Sequence, residues 1–175
     1  PILAAFCFVA VRGVVFNSGF FAHATAAAFG NPAATTLGCL LGEAKCLWSS
    51  LFFAVFGIVI ALVKDVPDVL GDTTHNIRTF SVRVGPERVF KVMRNLMSGL
   101  FYFTGAVFLR RVMLPSSFGV SLSRIVTSIS AFVFGLSVFV QSKHVDPSDS
   151  DGVYTYYMHL WKLFYLSYFI LPFAM

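Results

Sequence analysis

Five apolar runs, each long enough to cross a bilayer, take up most of this chain. They cover residues 2–22, 47–63, 90–109, 121–140 and 153–174. A membrane-spanning helix needs about 20 mostly apolar residues, with a range of about 17–25. Spanning β-strands are shorter and alternate polar with apolar. These runs are continuous, so they are read as helices. Composition agrees: the chain is 57% hydrophobic and 12% charged, against about 45–50% and about 25% for soluble domains. That leaves too little polar surface to cover a water-soluble globule. The expected class is an all-α integral membrane protein with about five transmembrane helices in a lipid bilayer.

The charge balance gives orientation. The net charge is +5, which in a membrane protein orients the chain and meets anionic headgroups; nucleic-acid binding is not expected. Strict alternation of spans puts Lys64, Arg78, Arg83, Arg88, Lys91, Arg94 and Lys143 on one side. Lys45, Arg110, Arg111 and Arg124 fall on the other. The richer side is cytoplasm-like. Cys7, Cys39 and Cys46 form no CxxC pair and are read as small hydrophobes rather than zinc ligands. The chain starts at Pro1 inside an apolar run and is expected to be a piece of a longer protein.

One polar stretch stands out. Three of the eight acidic residues lie within "KDVPDVLGD", residues 64–72. Asp65, Asp68 and Asp72 are spaced i, i+3, i+7, which on a helix is one face. Three like charges on one face call for a cation. Hard carboxylate oxygens suit Mg²⁺, which takes one or two of them and completes its octahedron with waters and phosphates. Pro67 lacks an N–H and belongs in a first helical turn, so the preceding span should end near Asp65. Arg78, Arg83 and Arg88 follow closely. Carboxylates beside forked guanidinium groups are the parts needed to hold a diphosphate. The plainer reading, a solvated acidic loop, competes with this one.

The run "KDVPDVLGDTTHNIRTFSVRVGPERVF" resembles the second Asp-rich motif of UbiA-type membrane prenyltransferases, in particular the plastid homogentisate prenyltransferases. "VRGVVFNSGFFAHA" and "YMHLWKLFYLSYFILPF" resemble that family's fifth and final helices. The resemblance implies that residues 1–175 are the C-terminal part of one UbiA-type domain, a nine-helix bundle. The family's first Asp-rich motif is not in the chain, and Ser167 stands where the family commonly has an acid.

The resemblance also implies a chemistry. Mg²⁺ on Asp65, Asp68 and Asp72 would hold a prenyl diphosphate, with Arg78 and Lys64 as further binding residues. A phytyl or geranylgeranyl group would pass to the aromatic ring of homogentisate with decarboxylation, in tocopherol and tocotrienol synthesis in a plastid membrane. Phe164 and Tyr165 are candidates to face an allylic cation. Arg12, about ten residues into the first span, is a charge that hydrocarbon tolerates only if it is paired or faces a cavity; it is assigned to substrate binding, with Asn17 a turn further on. Solanesyl transfer to homogentisate and a chlorophyll synthase-like reaction are the alternatives within the family. A transporter fragment, with Arg12 and Lys162 lining a pathway, is the alternative outside it.

Overall fold

The computed structural model describes residues 7, 10–28, 30–31, 33–114 and 117–174, without the side chains of 12, 70 and 172–174. The described residues are helical with no strand. A π-helical turn, Ala10–Val15, leads into α1 (Phe16–Ala28). Then come α2 (Thr36–Gly42), α3 (Ala44–Lys64), α4 (Val69–Thr74) and α5 (Phe80–Val84). Three long helices close the chain: α6 (Pro86–Val112), α7 (Phe118–Ser142) and α8 (Ser150–Ala174).

Three described helices are long and apolar enough to cross a membrane: α3, α6 and α7. The expected fifth span is a helix of 25 residues, α8. Its five tyrosines, with His159 and Lys162, dilute its hydropathy, and it is not one of the three. Most of the first expected span before residue 10 lies outside the described residues. Its remainder runs on to Ala28.

The chain divides into two compact units, Pro1–Ile58 and Val59–Met175. In the first, α1 packs on α2, and Ala22, Cys39 and Cys46 form a small buried core covered by Phe21, Ala34 and Leu40. The two cysteines thus behave as small hydrophobes. Thr35 caps α2 by accepting a hydrogen bond from the Gly38 amide, which satisfies one of the orphan N–H groups of a helix start. Gly13 lies directly against Ala54 of α3, where a Cβ would sit 2.6 Å from the Ala54 Cβ.

The second unit is built on α6, α7 and α8, with α7 packed on both neighbours. Pro86 opens α6 in its first turn after Gly85 at φ +95°, Glu87 follows, and Arg110 and Arg111 end it. This order suits both the missing proline N–H and the helix dipole. The buried face of α6 carries Phe90, Met93, Met97, Phe101, Thr104, Gly105 and Phe108 at helical spacing. Opposite it, α7 presents Thr127, Ser128, Ala131, Gly135 and Val138. Between membrane helices, lipid offers as much apolar contact as protein does, so close backbone approach and hydrogen bonds decide the pairing. Small residues on α7 permit that approach. Ser128 donates to the Gly105 carbonyl at 2.8 Å, and Thr127 to the Ile170 carbonyl at 3.2 Å. Large apolar side chains such as Phe103, Ile129, Val133 and Leu136 point outward, the surface a bilayer would cover.

Candidate functional site

The aspartate stretch lies where α3 ends. Residues 65–68 form a turn, and α4 starts only at Val69. The expected break at Asp65 is therefore present. The single helical face is not: only Asp72 lies within a helix. The reason is Pro67. Without an N–H it cannot extend α3, so the chain turns and Asp68 becomes the N-cap of α4. Asp68 leaves its side chain out of the cap, while its carbonyl accepts the Asp72 amide at 2.8 Å.

Asp65 nevertheless feels the other two carboxylates. Asp65 is half-buried, and burial raises its carboxyl above the ordinary carboxylate range. Lys64 opposes that rise, and the charges of Asp72 and Asp68 add to it. Desolvation and like charges both favour the neutral acid, and a nearby cation favours the carboxylate. Asp68 is exposed and Asp72 half-buried. Among the described residues no group of three or more His, Cys, Asp or Glu is gathered as a ready-made metal cage. The donors still fit Mg²⁺. They are hard oxygens, they carry mutually repelling charge, and this ion needs only one or two carboxylates when phosphates and waters supply the rest.

After α4 the chain reverses through Asn76, a non-glycine residue at φ 54°. The Ile77 amide returns to the Asp72 carbonyl at 2.8 Å. Arg78 follows, exposed, and Thr79 caps α5 by accepting from the Val82 amide at 3.4 Å. Lys64, the three aspartates and Arg78 thus stand on one short path between α3 and α5. Among the described residues, exposed Gly71 has no atom from outside its own helix turn within 4 Å of where a Cβ would be.

Arg12 and Asn17 belong to the other unit. The Arg12 side chain lies outside the described residues. The Asn17 amide donates to the Gly13 carbonyl one turn back, at 2.9 Å, a local bond that braces the entry to α1. Ser167 is buried and donates to the Leu163 carbonyl at 2.8 Å, so this position is spent inside its own helix. Phe164 is buried and Tyr165 exposed, with Tyr165 stacked on Trp161 at 5.7 Å.

Two cations that the sequence reading used only for orientation prove to share a partner. Arg94 and Lys143 approach the Phe139 ring at 5.2 and 4.9 Å from its centre. Nearby, Phe90 of α6 meets Tyr156 of α8 at 5.0 Å. The start of α6, the end of α7 and the start of α8 therefore form one end of the bundle, and α5 packs on α6. Lys143 stands one turn beyond Phe139 on the same helix, a local i, i+4 pair, whereas Arg94 reaches the ring only through the packing of α6 on α7.

Comparison with known proteins places this geometry. No protein-family profile matches the chain, and no solved structure does. Curated proteins do match. A homogentisate geranylgeranyltransferase of Triticum aestivum is 31% identical over 173 residues, 99% of this chain and 39% of its own length. Homogentisate phytyltransferase 1 of Arabidopsis thaliana, described as chloroplastic, is 29% identical over 98% of this chain and 40% of its own length. A homogentisate phytyltransferase of the cyanobacterium Synechocystis is 29% identical over 99% of this chain and 52% of its own length. The chain thus spans roughly two fifths to one half of these curated relatives. Over nearly its whole length the chain is a homologue of homogentisate phytyl- and geranylgeranyltransferases and of related UbiA-type prenyltransferases.

Proposed function

We propose that the full-length protein is a plastid-membrane prenyltransferase. It moves a phytyl or geranylgeranyl group from its diphosphate to the ring of homogentisate, as the names of its relatives suggest. One observation carries the reading: three aspartates within eight residues at the C-terminal end of an apolar helix, one of them half-buried beside the charges of the other two, followed by an exposed arginine.

Lys64 and Arg78 contribute positive charge toward a diphosphate, and Arg78 offers a planar fork of donors. Arg12 and Asn17 are kept as substrate-binding candidates on the sequence argument. Asp65, Asp68 and Asp72 would hold Mg²⁺, which when bound neutralises charge on the leaving diphosphate. The allylic C–O bond breaks, and the diphosphate departs with the bonding electrons. A ring carbon of homogentisate supplies the pair for the new C–C bond and then releases its proton. The side chain loses carbon dioxide and takes up a proton on the carbon left behind. A membrane-embedded cavity would keep water from the allylic cation.

The test uses membranes containing the full-length protein, homogentisate and a labelled prenyl diphosphate. The expected result is a prenylated, decarboxylated quinol whose formation needs Mg²⁺ and stops with chelator. Full turnover in chelator overturns the metal assignment. Product only with solanesyl diphosphate, or only with a chlorophyllide, replaces the donor or acceptor named here.

A further inference from the structure

The turn joining α6 to α7 holds three arginines that the prenyl-transfer reading does not use. Arg110 and Arg111 close α6, and Arg124 sits in the second turn of α7. Arg124 is half-buried, and its Nη1 donates to the Arg111 carbonyl at 2.9 Å. Its Nε is buried and has no hydrogen-bond partner among the described residues. The carbonyl satisfies one donor but none of the formal charge. A guanidinium stays ionised at any accessible pH, because its reference pKa is above about 12. From residue 88 to residue 145 the chain contains no Asp or Glu. Glu87 and Asp146 lie at the far end of the α6–α7 pair, so no carboxylate of these helices reaches this turn.

Beside the arginines, one residue along α7, an open groove of about 330 Å³ runs between α7 and α8. Gly119, Leu122, Val126, Phe169 and Ile170 line it. The Thr127 hydroxyl is tied across it to the Ile170 carbonyl, so the groove is apolar over nearly all its surface. Three cations with no acid near them on their own two helices, next to an apolar groove at the end of helices long and apolar enough to cross a membrane, match a molecule with an anionic head and hydrocarbon tails.

We infer that the α6–α7 turn is a binding site for an anionic diacyl lipid. The headgroup phosphate lies against Arg124 with Arg110 and Arg111, and an acyl chain lies in the groove between α7 and α8. The site also accounts for basic residues on the side of the membrane that the overall charge bias leaves poorer. Basic residues on that side oppose the dominant orientation signal, but a headgroup bound there neutralises them.

Native mass spectrometry of the full-length protein tests this. The protein is equilibrated with phosphatidylglycerol or phosphatidylcholine carrying identical chains. Phosphatidylglycerol should be retained preferentially. Arg124→Gln should reduce that retention about fivefold, the effect of one basic residue at a lipid surface. Val126→Trp, which fills the groove, should reduce it while leaving the arginines in place. Lys91→Gln, at the other end of α6, should change nothing. If Arg124→Gln does not fold, the double variant Arg110→Gln/Arg111→Gln removes charge while leaving the Arg124 hydrogen bond to the residue 111 carbonyl in place and should show the same loss. Equal retention of the two lipids by the unaltered protein overturns the inference. So does an equal loss in Lys91→Gln, which would mean that any surface cation serves. Retention unchanged in Val126→Trp removes the groove from the site and leaves only surface attraction.

Discussion

The Ser128 hydroxyl donates to the main-chain carbonyl of Gly105 across 2.8 Å, joining α7 to α6 at mid-helix. Ser128 is buried, and a side chain on Gly105 would meet the Phe132 ring at 3.1 Å. Bond and close approach depend on each other: a larger residue at 105 pushes α7 away and lengthens the bond. Ser128→Ala should cost about 0.6 kcal/mol, the mean for such bonds between membrane helices. Gly105→Ile should cost about 1–3 kcal/mol through overpacking. Thermal unfolding in detergent gives both values. An isoleucine variant as stable as the parent would show that the Phe132 ring simply moves aside.

A second glycine makes a sharper case. A Cβ on Gly13 would fall 2.6 Å from the Ala54 Cβ and 2.8 Å from the Ala54 nitrogen. The obstacle is helix backbone, which cannot rotate away. A Cβ on Gly19, in the following helix, would meet nothing within 4 Å among the described residues outside its own helix backbone. Gly13→Ala should therefore destabilise by about 1–3 kcal/mol. Gly19→Ala should be neutral or stabilising by up to about 1 kcal/mol, through helix propensity. Parallel melting curves compare them, and equal shifts would remove the α3 contact as the cause.

These contacts show what a linear reading can and cannot reach. Interiors of the long helices were legible as apolar runs: 90–109 lies within Pro86–Val112, and 121–140 within Phe118–Ser142. The ends were missed by a few residues because charged and polar residues, such as Glu87, Arg110 and Arg111 of α6, continue the helices beyond the apolar runs. Thr79 and Pro86 set boundaries by hydrogen bonding and by φ, not by hydropathy. Short α2 and α5 escaped altogether, being too brief to show a period. In the candidate site, the aspartate spacing was plain, and the break at Pro67 followed from its missing N–H. The exact turn did not follow, since i, i+3, i+7 suggests one continuous helix. Lys143 meets Phe139 at local i, i+4 spacing, but the approach of Arg94 to that ring needed the packing of α6 on α7.

Topology is the next testable matter. The connection between α7 and α8 and the turn between α6 and α7 lie at opposite ends of α7. Ser142 is buried and donates to the Phe139 carbonyl, so a thiol there would be shielded. His144 and Ser117 are both exposed. His144→Cys and Ser117→Cys should label with an impermeant maleimide from opposite sides of sealed membranes, over the background of the parent cysteines. Labelling of both from one side would mean that α7 does not cross.

The final prediction concerns the aspartates. Asp72 is fixed by the α4 backbone, Asp68 caps the same helix without using its side chain, and Asp65 is half-buried at the end of α3. If the three act together on a cation, each isosteric amide removes a negative charge while leaving the fold nearly untouched. Asp68→Asn and Asp72→Asn should lower prenyl transfer by about 10²-fold or more, the scale of losing one element of charge stabilisation at a leaving group. Raising Mg²⁺ should restore part of the loss, because a weaker site fills at higher concentration. Glu87→Gln should have little effect: Glu87 is exposed and opens α6 beyond the motif. Arg78→Lys should keep more activity than Arg78→Ala, since a point charge replaces the fork. Transfer is measured per unit of membrane-inserted protein, so that insertion and chemistry are read separately. Wild-type transfer by both asparagine variants, with insertion unchanged, would reduce this stretch to a solvated acidic loop.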